Sequence, residues 1–313
     1  MPTSQHQQTG IRAALLAALL LGTTPILGKL AYQGGFDPYS LTATRTTIAA
    51  GVMWLFYFVI PANRKFIFIY PAGLLISFAA GTLNGVSSLL YYNGLTRIDA
   101  GVGQMLYSLY PLFVVILRRL DGQRISNWTK VRLALALIAV MFLVRTGTGE
   151  VDLIGAGLMV GAGFMYAWHL AVSQRVLYEM PAPTVALYVL TSMAVVVVAA
   201  FLIHGSSAAV PPAGFPPMLG LAAITVFSRL LMFLGVKRLG SVQTALLGVT
   251  EILVSVCLAI IMLGEQLVVR QWIGTLILMT SLILIIFEPG MGKSIFNRKP
   301  PGQPALQQAP PRP

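Results

Sequence analysis

Long apolar segments follow one another along almost the whole chain, and they constrain its fold more than any other feature. Ten segments close to the ~20 residues needed to cross a bilayer are separated by short charged or Pro/Gly-rich breaks. In lipid, backbone groups must be hydrogen-bonded internally, and the segments lack the alternation of barrel strands, so each predicts a helix. The segments are residues 12–33, 38–60, 67–92, 99–118, 130–146, 152–174, 182–204, 215–237, 240–263 and 270–287.

The composition excludes an ordinary soluble protein. Charged residues make up 10% of the chain and hydrophobic residues 57%, whereas a globular protein carries about 25% charged residues to solvate its surface. The chain is therefore predicted to be an all-α polytopic membrane protein with ten transmembrane helices.

The distribution of Lys and Arg predicts the orientation. Of the 21 Lys and Arg residues, fifteen lie in segments on the side of the amino terminus, and three lie on the opposite side. Basic residues collect in cytoplasmic loops, so both termini are predicted to be cytoplasmic, in a multi-pass protein of the cell membrane. Residues 1–11 form the amino-terminal tail, and residues 288–313 form a Pro-rich tail that we interpret as disordered.

An internal repeat divides the membrane region into two halves. Residues 87–98 (SSLLYYNGLTRI) and 228–239 (SRLLMFLGVKRL) share five of twelve positions, and the same offset aligns Tyr110-Pro111 with Glu251-Ile252. We predict repeats over residues 12–146 and 147–287, with five helices each. Because five is odd, the second repeat must be inverted in the membrane, an arrangement that places a substrate site near the midplane between the halves.

The order and spacing of several residues carry a family resemblance, namely Gly22, Gly28, Lys29, Arg45, Tyr110-Pro111, Glu251, Gly264-Glu265 and Gly274. Over residues 12–287 the chain resembles the EamA-type branch of the drug/metabolite transporter superfamily. The resemblance implies ten helices in two inverted five-helix repeats around a cavity that opens alternately to each side. The chain departs from the family at Ile252, where a proline is usual, and at Gly122-Gln123, where the first repeat usually has Gly-Glu.

Glu251 is the strongest candidate for a functional residue. It lies eleven residues into the ninth segment, roughly 16 Å from the cytoplasmic end at 1.5 Å per residue, close to the bilayer centre. A carboxylate at that depth is costly and predicts proton coupling or substrate contact. The alternative is a structural ion pair with Arg229, which lies at comparable depth in the eighth segment and could also contact an anion itself.

Two further cations flank the loop between the first and second segments. Arg45 lies roughly 10–12 Å below the outer surface by helical rise, whereas Lys29 is near the end of its segment and could extend to the interface. Together they could attract a substrate carboxylate. They could equally contact lipid phosphates or cap the carbonyl end of a helix.

Four other side chains complete the predicted site. Tyr110 is the repeat counterpart of Glu251, Trp168 and His169 lie in the sixth segment, and Asn84 is an intramembrane amide in the third. Each could line a cavity, although aromatic, histidine and amide side chains in spans also serve packing and helix–helix hydrogen bonds.

Glycine spacing predicts closely packed helices. Gly81–Gly85 and Gly157–Gly161 have the small-xxx-small spacing that allows helix backbones to approach. Glycines and a proline also interrupt the first and sixth segments, and corresponding interruptions in two repeats indicate a transporter's binding region.

Motifs for catalysis and nucleotide hydrolysis are missing from the sequence. It contains no GxxxxGK[ST] loop and no HExxH motif, so we expect no enzyme activity, cofactor, metal or nucleic-acid partner. The leading hypothesis is proton-coupled transport of a small metabolite, such as an amino acid, by alternating access in a monomer or homodimer. Export as the direction comes from the resemblance. The alternatives are an exchanger of organic anions or phosphorylated metabolites, and a membrane receptor or scaffold that recruits a partner through its Pro-rich tail.

Overall fold

A computed structural model describes residues 2–120, 127–144, 152–204, 212–248 and 250–284. Helices account for most of these residues, and no β-strand occurs in these ranges. The helices are α1 Pro2–Gly22, α2 Thr24–Gln33, α3 Pro38–Val59, α4 Pro71–Leu95, α5 Ala100–Tyr107, α6 Tyr110–Leu120, α7 Asn127–Val144, α8 Leu153–Leu177, α9 Ala182–His204, α10 Phe215–Leu239, α11 Ser241–Leu247, α12 Thr250–Leu263 and α13 Val269–Ile283.

The helical stretches make the chain a multi-pass membrane protein. Seven of them, within the described residues, are long and apolar enough to cross a bilayer. They are Gln7–Gln33, Pro71–Leu95, Ala100–Leu117, Leu153–Leu177, Ala182–His204, Pro212–Leu239 and Ser241–Leu263, and the shorter apolar helices are Ala134–Leu143 and Val269–Ile283. α3 is not among the seven, and Arg45 and several threonines lie in its first half. The all-α, polytopic class is thus supported, whereas the count of ten spans stays a prediction.

Side-chain caps and a glycine set several helix ends. Asp37 accepts hydrogen bonds from the backbone N–H of Tyr39 and Ser40, and the Ser40 hydroxyl accepts one from the Asp37 N–H, which forms a capping box at the start of α3. Asp152 caps α8 by accepting hydrogen bonds from the backbone N–H of Ile154 and Gly155, without a reciprocal bond. Gly240, with φ of 91°, ends α10 in a conformation that favours glycine.

The interrupted helices differ from the prediction. The first segment is divided at Thr23, as expected, but α8 is continuous from Leu153 to Leu177. Two of its glycines pack closely against neighbours: a Cβ at Gly155 would lie 2.8 Å from the Arg97 Cβ, and one at Gly163 would lie 2.7 Å from the Tyr107 carbonyl oxygen. The other divided segments are the fourth, between Tyr107 and Tyr110, and the ninth, between Leu247 and Thr250.

Several boundaries of tails and segments differ from the predicted ones or cannot be compared with them. Residues 2–11, which were assigned to the amino-terminal tail outside the first segment, belong to α1, and α7 begins a few residues earlier than its predicted segment. The last residues of the fifth and tenth segments (145–146 and 285–287), and the Pro-rich tail, lie outside the described residues.

Contacts between helices run mainly across the midpoint of the chain. α4 packs against α8 and α9, and α1 packs against α10 and α12. α3 contacts α9 and α10, α5 contacts α12, and α7 packs on α13. Elements from the two halves are therefore interleaved, and the space at the centre is bounded by both.

Only the first of the two glycine pairs mediates close helix packing. A Cβ at Gly81 would lie 2.5 Å from the Val189 carbonyl oxygen, and one at Gly85 would lie 2.9 Å from the Val196 Cβ, so α4 and α9 approach closely there. A Cβ at Gly157 would meet nothing within 4 Å. The packing role predicted for the Gly157–Gly161 pair is therefore wrong at Gly157.

We expect Gly81→Ala to lower the free energy of unfolding by about 1–3 kcal/mol, because the backbone oxygen of Val189 cannot move aside cheaply. Thermal unfolding in detergent measures the change. Gly157→Ala is the matched control on another helix, where the added methyl group has open space and the stability should be unchanged or slightly raised. Equal destabilisation by both substitutions would contradict this packing.

Candidate functional site

A cavity of about 80 Å³ lies inside the bundle, between helices of the two halves. A single water needs roughly 10–15 Å³ of such space, so the cavity holds several waters or a small solute fragment. Polar side chains from six different helices reach it: Arg45, Asn84, Gln104, Tyr166, Arg229 and Glu251. A polar, internal cavity in a protein with an apolar exterior is the natural place for a solute site.

Glu251 lies in the first turn of α12, just after the break in the ninth segment, and is 1% exposed. Its Oε2 accepts a hydrogen bond of 3.3 Å from Gln104 Nε2, and its Oε1 accepts one of 3.3 Å from the Tyr110 hydroxyl. Gln104 Oε1 in turn accepts a 3.0 Å bond from Tyr91. In the described part of the chain, no salt bridge joins Glu251 to Arg229, so the structural ion pair considered above is absent.

Arg45 is held by neutral groups. Its guanidinium donates to the Thr225 hydroxyl at 2.8 Å and to the Ser88 hydroxyl at 2.5 Å, and it lies 4.6 Å from the Tyr92 ring centroid. The residue is 7% exposed. Its Nε has no hydrogen-bond partner among the described residues. This buried cation therefore lacks a protein carboxylate and retains donor capacity toward an anionic group.

Arg229 is the second guanidinium at the cavity, and His169 supports it. Arg229 donates to His169 Nε2 at 2.9 Å, and His169 Nδ1 lies 2.9 Å from the Ala80 carbonyl oxygen. A carbonyl oxygen only accepts and a guanidinium only donates, so the imidazole carries its proton on Nδ1 and is neutral. His169 thus orients Arg229, whose Nε has no partner in the described structure.

The other predicted residues divide into two groups. Asn84 lines the cavity and donates to the Met193 sulfur at 2.8 Å, and Tyr110 is fully buried beside Glu251. Trp168 is 43% exposed on the outside of the bundle, because its position on α8 points away from the centre. Lys29 lies in the second half of α2, near the charges of Glu265 and Asp99. The structure does not bring Trp168 or Lys29 to the cavity.

Sequence reasoning did not select Gln104, Tyr91 or Tyr166, which line the cavity with Glu251. Gln104 is an uncharged polar residue in an apolar span, and the rule applied to Asn84 would have selected it as well. Tyr107 lies with its ring centroid 5.0 Å from that of Tyr91 and 5.5 Å from that of Tyr166, which forms an aromatic wall. Nothing in the sequence spacing shows that these rings, from three helices, meet.

We expect His169→Leu to lower the free energy of unfolding by about 1–3 kcal/mol, because the buried Arg229 guanidinium loses its acceptor. Thermal or denaturant unfolding of the purified protein measures the loss. His204→Leu is the control: that histidine is exposed at the end of α9 and stacks on Tyr39, so its removal should cost less than about 0.5 kcal/mol. A His169 variant as stable as the His204 variant would show that His169 does not support Arg229.

Known proteins are similar to this chain in sequence and in fold. The chain is similar to the "Uncharacterized transporter YcbK" of Bacillus subtilis (strain 168), with 27% identity over 295 residues that cover 86% of this chain and 92% of that protein. A solved crystal structure superposes with a TM-score of 0.67 at 16% sequence identity, over 89% of this chain and 97% of that one. At that identity the likeness shows the fold alone.

The family assignment rests on two separate matches. The EamA-like transporter family matches residues 8–145 and again residues 153–287, which together include most of the chain and every helix that contributes to the cavity. The chain is therefore a membrane transport protein, and it belongs to the EamA-like transporter family.

Proposed function

We propose that this protein is a secondary active transporter that exports a small metabolite, an amino acid or similar, by alternating access with protons as the coupling ion. The observation that carries the proposal is Glu251, a buried carboxylate that lines the central cavity without a cation bonded to it. An ionised carboxylate is costly in such a place. It can therefore bind a proton or a substrate cation, and release it when water reaches the cavity.

The charges around the cavity suit a zwitterion. The guanidiniums of Arg45 and Arg229 have no carboxylate partner and could bind the substrate carboxylate, while Glu251 could bind the ammonium group. The proton and the ammonium group then compete for one carboxylate. Competition of this kind couples inward proton movement to outward substrate movement, because each displaces the other.

The proposed architecture is ten spans in two inverted repeats, residues 12–146 and 147–287, with both termini in the cytoplasm. Four observations support it. The family matches the chain twice in tandem, and the equivalent fourth and ninth segments are both divided. Tyr110 and Glu251, which the repeat offset aligns, are hydrogen-bonded to each other. The packing of α4 on α8 has its counterpart in the packing of α10 on α1.

A second candidate is exchange of organic anions. It is favoured by two guanidiniums at the cavity against one carboxylate, and by the coulombic repulsion between Arg45 and Arg229, which a bound anion would relieve. In that case, binding would depend mainly on the attraction between the negative charge of the substrate and the two guanidiniums, and not on Glu251.

We expect Glu251→Gln to reduce uptake of radiolabelled L-amino acids, driven by a pH gradient in proteoliposomes, to the level of empty liposomes, because an amide cannot bind a proton. The gradient is set so that protons leave the vesicle as substrate enters. Glu179→Gln is the control, because Glu179 is bonded to Tyr70 at the surface and should leave the flux unchanged. Gradient-driven flux that persists in the Glu251 variant would contradict proton coupling at this residue.

We expect Arg45→Gln to raise the KM for the transported amino acid about 10–100-fold, since a charged hydrogen bond contributes about 1.5–3 kcal/mol. Arg64→Gln is the control, because Arg64 is exposed and donates to the Phe58 carbonyl oxygen outside the cavity. An anion exchanger would behave differently. Counter-substrate would stimulate its flux, Arg45→Gln would abolish that flux, and Glu251→Gln would leave it intact.

A further inference from the structure

A second carboxylate of the carboxy-terminal half, away from the cavity, binds the short helix α5. Glu265 follows α12, and its Oε1 accepts a 2.6 Å hydrogen bond from the Ala100 N–H while its Oε2 accepts a 2.9 Å bond from the Gly101 N–H. These are the first two residues of α5, whose amino end favours a negative charge. Both oxygens of one side chain are therefore engaged with the opposite half of the molecule.

Carboxylates at both ends of α12 consequently hold the same helix. Glu251, in the first turn of α12, accepts from Gln104 of α5, and Glu265, two residues beyond the end of α12, accepts from the start of α5. α5 is only eight residues long and ends at the break in its segment. It is buried over nearly its full length. Besides its packing and the bonds that Tyr91 and Thr275 make to its Gln104 and Met105, α5 is joined by side-chain hydrogen bonds to both ends of α12.

The electrostatic surroundings of Glu265 suit a contact that forms and breaks. Burial raises the pKa of this half-buried carboxyl, and the Gly101 and Ala100 N–H groups oppose that rise. The negative charge of Asp99 also raises the pKa of Glu265, and the positive charge of Lys29 lowers it. The contact therefore depends on two backbone bonds that offset a desolvation cost, rather than on a full salt bridge.

We propose that Glu265 is a gating residue: its carboxylate latches α5 to the end of α12 and closes the cavity on that side, and its release opens the cavity there and withdraws Gln104 from Glu251. The proposal rests on the alternating access proposed above. Glu265 lies outside the cavity, and its role is to position α5, the helix that carries the cavity residue Gln104.

Asp152 provides a matched control at another helix start. It too is a carboxylate that accepts from two consecutive backbone N–H groups, those of Ile154 and Gly155, but these belong to its own helix, α8. Its hydrogen bond with Arg97, and then the Gly155 N–H, lower the pKa of Asp152. Loss of this carboxylate removes the cap of α8 and the bond to Arg97 in the turn before α5, but it leaves both bonds between Glu265 and α5 intact.

Thiol accessibility tests the latch without requiring a substrate. In a Cys257→Ser background, Ser228→Cys places a reporter at the cavity, and Thr96→Cys places one on the exposed turn that joins α4 to α5. A membrane-impermeant maleimide is applied to the side from which the Thr96 reporter is labelled. Glu265→Gln, which removes one acceptor oxygen, should raise the labelling rate at the cavity about tenfold and leave the Thr96 rate unchanged.

A second variant removes the same contact from the other partner. Ala100→Pro deletes the N–H that donates to Glu265, at the first helical position, where proline is well tolerated. It should also accelerate cavity labelling, and because both changes break one contact, the double variant should label no faster than the faster single variant. This variant decides the question if Glu265→Gln does not fold.

The outcomes are distinct. Faster cavity labelling in both single variants, with Asp152→Asn at the wild-type rate, supports the latch. A wild-type labelling rate in folded Glu265→Gln or Ala100→Pro, or an equal acceleration in Asp152→Asn, overturns it. Because no substrate is used, failure of amino-acid transport would refute the proposed function without touching this result, and the reverse also holds.

Discussion

The rest of the structure depends on the hydrogen bonds that stabilise one buried carboxylate, that of Glu251, in the interior of a membrane protein. Glu251 is almost completely buried, and a buried charge without partners is among the most costly features a membrane protein can carry. Its hydrogen bonds come from Gln104 and Tyr110, which lie on either side of the break between α5 and α6. Glu251 itself follows the break between α11 and α12. The two broken segments therefore meet at the one acidic group of the cavity.

The breaks determine which parts of the two segments are rigid and which parts can change their relative orientation. A continuous helix would fix the depth and direction of every side chain along it, whereas two half-helices can tilt separately about their junction. The fourth segment, in the first half, and the ninth segment, in the second half, are both divided in this way, and the polar groups at these two junctions face each other. Glu251 is hydrogen-bonded to α5 through Gln104, and Arg45 and Arg229, on helices α3 and α10, line the same cavity.

The positions of most helices and several of the cavity residues could be predicted from the sequence. Hydropathy placed most of the helices, and the cost of charge in lipid selected Glu251, Arg45 and Arg229, all of which line the cavity. The offset between the repeats aligned Tyr110 with Glu251, which are in contact. These inferences succeeded because they depend on solvation and spacing, which act on residues regardless of how the helices pack.

Other features depend on helix rotation and packing, which the sequence does not display. Trp168 and His169 are neighbours in the sequence, yet one faces outward and the other binds Arg229, since consecutive helical positions differ by about 100°. The glycines of α8 suggested an interruption, but the helix is continuous, and Gly163 allows close contact with the turn at Tyr107. The contact of Glu265 with α5 joins residues more than 160 positions apart, and neither residue type alone predicts it.

The central claim is that a proton and the substrate compete for Glu251, and proton release on binding tests it most directly. The purified protein is mixed with the L-amino acid that most raises its melting temperature, in weakly buffered detergent solution with a pH indicator. If the two compete, wild-type protein releases close to one proton per bound amino acid at a pH where Glu251 is protonated, and Glu251→Gln releases none. Binding without proton release in the wild type, at any pH, or equal release from the variant, would contradict the claim.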